Sequence, residues 1–387
     1  MRHNLMHRFI FLILRYTVAP LIKRTLRYGF EKQKGPDVPS ILISNHNTNL
    51  DPALVAMCFS RHMYFLASEH AFRNGFKSKL LRFFFEPIPI NKSRNDILAI
   101  KEMLHRLKSG ANVCLFAEGD RSFTGATAPV SLSTAKLVKT SGADLITFRL
   151  EGGYFTSPRW AKNTRRGKMT GKRINRYTGE VLNSMTVQQI NSIIERDIFE
   201  DAYERQKANL IRYKGKKLAE NIETVLYLCP ECERIGTIVS KGFYFSCDCG
   251  LNAEYTETGL LNGSALPFST ITEWGRWQSE KLKEIVSAAG DSPICKDEGQ
   301  TLLVVSAATK SKPVGTGTMS ISCEALHCAG HDFPVEQITR IAVAGQMTLL
   351  FSLRDGDSYE VLSDTPRSAL KYNEIFRILK DKLTLVN

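Results

Sequence analysis

Over the first 150 residues, short runs that are apolar throughout alternate with stretches of helical periodicity. Ile41-Leu42-Ile43-Ser44, Pro87–Ile90, Val113–Phe116 and Leu145–Leu150 have the unbroken apolar character of buried strands. After the first of them Ala53, Leu54, Ala56 and Met57 recur at helical spacing, and Ile97–Leu107 reads as a helix before the third. Strands alternating with helices predict an α/β domain. Residues 186–224 read as helical and rich in charge. Beyond residue 256 the texture changes: Leu302–Val305, Met319–Ser322, Thr348–Leu353 and Tyr359–Leu362 read as short strands separated by turn residues, and Ser368–Leu383 as a closing helix. Four segments result: 1–30, an α/β domain over 31–224, a cysteine-rich 225–256 and a β-rich 257–387.

The N-terminal apolar run Phe9–Leu14 stops at Arg15, far short of the roughly 20 residues needed to span a bilayer, and no small-x-small cleavage pattern follows it. Projected on a helix, Arg8 and Arg15 share a narrow stripe while Leu5, Phe9, Leu12 and Ile13 occupy the rest, and Pro20 is expected to interrupt the helix. Lys23, Arg24 and Arg27 follow. Apolar mass with a basic flank is the pattern of a helix lying in anionic headgroups, each cation adding on the order of 1 kcal/mol. A helix packed on its own core is the plainer alternative.

Of 387 residues, 43% are hydrophobic and 24% charged, which excludes wholesale disorder and supports two or three domains. The net charge of +13 implies an anionic partner, whether nucleic acid, acidic lipid or phosphorylated substrate. Eight of the basic residues fall between Arg159 and Arg176 with no acid among them, either a solvated hairpin or a phosphate-facing surface.

Four of the nine cysteines are clustered, as Cys229-Pro230-Glu231-Cys232 and Cys247-Asp248-Cys249-Gly250, with Gly242-Phe243-Tyr244-Phe245 between them as expected of a hairpin. Four thiolates so placed suit a tetrahedral structural zinc site in a small zinc ribbon and leave no open coordination position for catalysis; redox pairing of Cys229 with Cys232 is the minor alternative. The pattern favours a reducing compartment over a disulfide framework.

The first strand runs into Asn45-His46-Asn47-Thr48-Asn49-Leu50-Asp51 at a strand-to-helix junction. A loop histidine can turn one ring nitrogen to a substrate hydroxyl while the other donates to a carboxylate, which fixes the tautomer of a general base; Asp51 could equally be a helix cap. The third strand runs into Phe116-Ala117-Glu118-Gly119-Asp120-Arg121-Ser122. There Gly119 lets backbone approach an anion, Arg121 and Ser122 offer a charged fork and a hydroxyl to phosphate oxygens, and Glu118 is suited to orienting the loop or Arg121. An ordinary glycine turn with a surface ion pair is the alternative.

These two blocks, in this order and about seventy residues apart, resemble the glycerolipid acyltransferases typified by 1-acylglycerol-3-phosphate O-acyltransferase, over roughly residues 35–155. In that family NHxxxxD is catalytic and FxEGxRS binds the acceptor phosphate. The resemblance therefore implies His46 and Asp51 in catalysis, with Asn45, Glu118, Gly119, Arg121 and Ser122 on the acceptor side. Where the family places a phosphate-contacting arginine this chain has Lys92, with Arg94 two positions on as a substitute, and where it commonly has a proline the chain has Thr147. The β-rich C-terminal part resembles a pleckstrin-homology-type fold.

The expectation is thus an α/β acyltransferase domain, a small zinc ribbon and a β-rich, PH-like C-terminal domain. Its reaction would move a fatty acyl group from acyl-CoA or acyl carrier protein to a lyso-glycerophospholipid hydroxyl, at the cytoplasmic side of an anionic membrane surface, as a peripheral (monotopic) protein. A different lyso-lipid acceptor and a catalytically silent lipid-binding scaffold are the competing expectations. A nucleic-acid partner is not expected, since it leaves both motif blocks and the apolar N-terminus unexplained.

Overall fold

The apolar runs do form the strands that organise the chain. The computed structural model describes residues 2–35, 37–68, 85–90, 97–264, 266–290, 292–305 and 311–386, in two compact units. The first comprises α1 (Arg2–Leu26), β1 (Tyr28–Phe30), β2 (Ser40–Ser44), α2 (Asp51–Cys58), β3 (Met63–Ser68), β4 (Ile88–Ile90), α3 (Ile97–Lys108), β5 (Asn112–Phe116), α4 (Leu132–Ser141), β6 (Asp144–Glu151), α5 (Gly153–Thr156), β7 (Met169–Tyr177), α6 (Gly179–Ser184), α7 (Val187–Ile198) and α8 (Ala202–Ala208).

Its seven strands lie in the order β1-β7-β6-β2-β5-β3-β4. β2 runs parallel to both its neighbours, β5 and β6, and all five of its residues are buried, which is why it is apolar on both faces. Alternate residues feed two cores. Ile41, Ile43, Val113, Leu115 and Leu145 meet α3, α4 and α7 on one face, whereas Leu42, Cys114, Ile146, Phe148 and Leu150 meet α2 and the end of α1 on the other. This is the three-layer α/β arrangement that the alternating pattern predicts.

One element of this unit differs from expectation. α1 runs through Pro20, because Ala19 before it and Leu26 after it are both buried in the second core, with Ile22 packed against it. Packing on both sides outweighs the roughly 3 kcal/mol that proline costs inside a helix. The basic run ends in β7, which pairs antiparallel with β6, and two of its cations are neutralised there, Lys172 by Glu151 (2.8 Å) and Arg176 by Asp144 (2.7 Å).

In the second unit a four-stranded antiparallel sheet, β8 (Ile238–Lys241), β9 (Tyr244–Cys247), β10 (Asn252–Tyr255) and β11 (Leu261–Asn262), carries the cysteine ribbon. Helix α9 (Ile271–Ala288) follows, which the strand-like texture beyond residue 256 did not lead one to expect. Then come β12 (Cys295–Val305), β13 (Lys312–Ile321), β14 (Ala325–Cys328), β15 (His331–Pro334), β16 (Ile338–Ala344), β17 (Thr348–Leu353), β18 (Ser358–Ser363) and α10 (Ala369–Val386). These strands form one antiparallel sheet in the order β15-β14-β13-β12-β18-β17-β16. Ribbon and β-rich part are not separate: Gln278 of α9 accepts from the amides of Tyr227 and Leu228 and donates to Val225, and Trp274 donates to the Leu228 carbonyl, just before the first cysteine.

Candidate active site

Parallel pairing of β2 with β5 puts Ser44 opposite Phe116, so the segments leaving both strands emerge side by side from the same sheet edge. Asn45 comes first and is fully buried. Its amide continues the sheet, Oδ1 accepting from the Leu150 N–H and Nδ2 donating to the Leu150 carbonyl, both at 2.8 Å. Beside the acceptor-side role that the resemblance implies, Asn45 thus ties the start of the loop to β6.

His46 Nδ1 lies 2.8 Å from Asp51 Oδ2. Asp51 is fully buried and also accepts from the amides of Asn47 (2.6 Å) and Thr48 (2.8 Å) and from the Thr48 hydroxyl (2.6 Å). Although it is the first residue of α2, Asp51 reaches back into the loop and caps nothing: Leu50 occupies the N-cap position with no side-chain bond. A carboxylate so tied is rigid, and it dictates that Nδ1 carries the proton and Nε2 the lone pair. The ring stacks on Phe116 (centroids 4.4 Å apart) and stays one-fifth exposed.

Glu118 bridges the two motif blocks. One carboxylate oxygen accepts from the His46 amide at 2.6 Å and the other from Ala128 at 2.8 Å. Burial pushes its carboxyl up to about 8, against the pull of those two N–H donors. Gly119 sits in the left-handed region (φ +71°), a turn that a side chain would strain. The Ser122 amide donates to the His46 carbonyl (3.2 Å), a second tie between the blocks. Its hydroxyl, however, is spent on the loop, donating to Ala126 and accepting from Gly125, and does not project as a phosphate ligand.

Arg121 is different. Its guanidinium makes no hydrogen bond or ion pair to any described residue. Burial lowers its pKa, countered by the charges of Asp51 and Asp120. Beneath it the buried Arg159 donates to the Arg121 carbonyl (3.2 Å), pairs with Asp120 (3.4 Å) and lies over the Phe123 ring, so the loop's own acid is already engaged by another arginine. A half-buried guanidinium with no partner among the described residues is a ready anion site. Lys92 and Arg94 lie outside the described residues. Thr147 takes the proline position with its hydroxyl bonded to Asp197 (2.8 Å) and to the Asn175 amide (3.1 Å), where β6 and β7 change register.

Residues that the motif reading passed over complete the loop. Thr48 and Asn47 hold Asp51, and Asn47 Nδ2 donates at 2.9 Å to Glu200, a carboxylate 153 residues away. The first two were within reach, being inside the motif; nothing in the local sequence marks Glu200.

In the second unit the sulfurs of Cys229, Cys232, Cys247 and Cys249 all lie within 4.8 Å of one another. Cys229 Sγ is 3.6 Å from Cys249 Sγ, and Cys232 Sγ 3.8 Å from Cys247 Sγ, too long for disulfides. A tetrahedral zinc with bonds of about 2.3 Å separates its sulfurs by about 3.8 Å, so the donor set fits that ion. The single residue between Cys247 and Cys249 is accommodated by Gly250, whose amide returns to the Cys247 carbonyl with φ +110°.

No curated protein sequence matches the chain. The chain is similar to the solved structure of the 1-acyl-sn-glycerophosphate (LPA) acyltransferase PlsC from Thermotoga maritima, at 16% identity and a TM-score of 0.40, over 53% of this chain and 97% of that one. The family model described as Acyltransferase matches residues 27–151, the span that holds both motif blocks and the strands presenting them. Residues 27–151 are accordingly similar to a domain of the acyltransferase family.

Proposed function

We propose that the protein transfers a fatty acyl group from a thioester, acyl-CoA or acyl carrier protein, to the free hydroxyl of a lysophosphatidate-type acceptor. The observation that carries this reading is a single loop pair: a histidine whose Nδ1 is committed to a buried carboxylate, on a loop tied to the one that carries Arg121, a cation with no partner among the described residues. Nε2 of His46 takes the proton as the hydroxyl oxygen attacks the thioester carbonyl. The C–S bond then breaks, and the departing thiolate receives the proton from the imidazolium that Asp51 has stabilised. Arg121 holds the acceptor phosphate, with Lys92 and Arg94 as the further cations the family pattern implies.

The exposed apolar side chains of α1, Phe9 (64%), Tyr16 (74%) and Leu21 (65%) among them, with Lys23 and Arg24 in its last turn, support docking on an anionic bilayer surface. Among the described residues no helix is long and apolar enough to cross a membrane. The cytoplasmic face suits thiolate ligands, which persist where thiols stay reduced. Cys229, Cys232, Cys247 and Cys249 would hold a structural zinc ion, which ties the two ends of the ribbon and takes no part in acyl transfer. The strand order of the C-terminal sheet with its closing helix supports the PH-like reading.

Transfer of labelled acyl groups from both donors to a panel of lyso-lipids tests the proposal. Transfer to lysophosphatidate supports it; transfer to another headgroup alone reassigns the acceptor, and none from either donor sinks it. Arg121→Ala is expected to raise KM for the phosphate-bearing acceptor by about 10- to 100-fold, the worth of a hydrogen bond to a charged group, with KM for the donor little changed. Equal KM values for the acceptor in variant and wild type would remove Arg121 from the phosphate site.

A further inference from the structure

Glu200 stands between α7 and α8, outside both motif blocks, and its surroundings are those of a joint. The residue is buried. One carboxylate oxygen accepts from Asn47 Nδ2 (2.9 Å) and, at 3.4 Å, from Asn45 Nδ2; the other accepts from the Gly152 amide and from Arg205 Nε, both at 3.0 Å. The side chain thus grips the histidine loop from below at the two residues flanking His46. The Glu200 backbone grips the other loop: its amide donates to the Thr127 hydroxyl (2.9 Å) and its carbonyl accepts from the Thr127 amide (2.9 Å). The neighbouring Ala202 amide donates to Gly125 at 3.0 Å, in the same turn that Ser122 closes.

No slack remains around this joint. Gly152 has φ +80°, and a Cβ there would stand 2.3 Å from the Lys168 carbonyl; one on Gly153 would stand 2.7 Å from Asn47 Cβ. Arg205 is fixed in turn, with Nη2 3.3 Å from the Tyr213 hydroxyl, which donates to the Lys168 carbonyl.

We propose that Glu200 is a positioning residue for acyl transfer: through its side chain and its backbone it sets the distance and angle between the His46 loop and the Arg121 loop. The inference rests on the function proposed above. Base and phosphate ligand sit on separate loops, and a reaction between bound acceptor and donor needs them in register to a fraction of an ångström. Substituting glutamine keeps the shape but turns an NH2 group toward donors, whichever way the amide is placed, and leaves Arg205 without its charge partner.

The test compares full-length Glu200→Gln with Asp144→Asn, a control that also removes a paired carboxylate, this one from β6. Asp144 lies at the opposite end of β6, bonded to Arg176 and the Gly179 amide. Both variants are measured below their melting transitions for kcat, for KM of acceptor and donor, and for the rate at which diethyl pyrocarbonate modifies His46, read by peptide mass mapping. For Glu200→Gln we expect kcat to fall about 100-fold with KM within threefold, and His46 to change its modification rate at least threefold; Asp144→Asn should change neither. A folded Glu200→Gln protein with kcat within twofold of wild type, or a loss matched by Asp144→Asn, overturns the proposal. Were the wild type to transfer no acyl group, the function would fail on its own, and His46 modification would still decide the clamp: altered only in Glu200→Gln in its favour, unaltered against it.

Discussion

Replacing His46 with alanine is expected to lower kcat by about 10²- to 10⁴-fold, the usual worth of a positioned general base, while the thermal unfolding temperature stays within a few degrees of wild type. The side chain makes one hydrogen bond and one ring contact and is partly exposed, so the fold has little to lose from it. Asp51→Asn is expected to be nearly as damaging to rate and worse for stability. The asparagine NH2 group would have to face one of four donors now served by the carboxylate, and the imidazole would be free to take the wrong tautomer. Initial rates with a labelled thioester donor, alongside calorimetry, check both. A folded His46→Ala protein at wild-type turnover would end the general-base mechanism.

Removing the zinc ion proposed for the four cysteines is expected to have the largest effect on stability. The ribbon's sheet is small: β8 and β9 bury Ile238 and Phe245 on one face and leave Val239 and Tyr244 exposed on the other, so the four sulfurs carry a large share of what holds the hairpin. Structural zinc contributes on the order of 10 kcal/mol in ribbons and fingers. Chelation, or Cys229→Ser, should therefore lower the unfolding temperature of the second unit by about 10 °C or more. Elemental analysis should find one zinc per chain in wild type and much less in the variant. Metal-free protein with an unchanged calorimetric transition would refute the assignment.

Much of the first unit could be read from the chain because its information is local. A strand buried on both faces is a run of apolar residues, and the two motif blocks sit where such runs end. Side-chain roles within those blocks were less legible. Asn45 looks only like a polar ligand until its partner, 105 residues away, is known, and Ser122 looks like a phosphate donor until the turn at Gly125 and Ala126 consumes it. β7 was hidden by its cations, since Lys172, Arg173 and Arg176 project outward while Met169 and Gly171 are the buried positions. Helix α9 did carry a signal: Thr270 and Glu273 form the start of a capped helix, and Trp274, Gln278 and Leu282 repeat at four-residue spacing along its buried face. Turn-rich texture around that segment masked it.

The bonds from the histidine loop to Leu150 and Glu200 also order events in time. β2 is made early, yet both its partner strands and the clamp beneath its loop are far downstream, and contacts so distant form late in folding. A nascent chain released before residue 200 would carry both signature blocks, tied through Glu118 and Ser122, but without the Glu200 joint beneath them. The segment that carries both blocks, residues 27–151, therefore depends on a carboxylate synthesised some fifty residues after it for the last ties of its histidine loop.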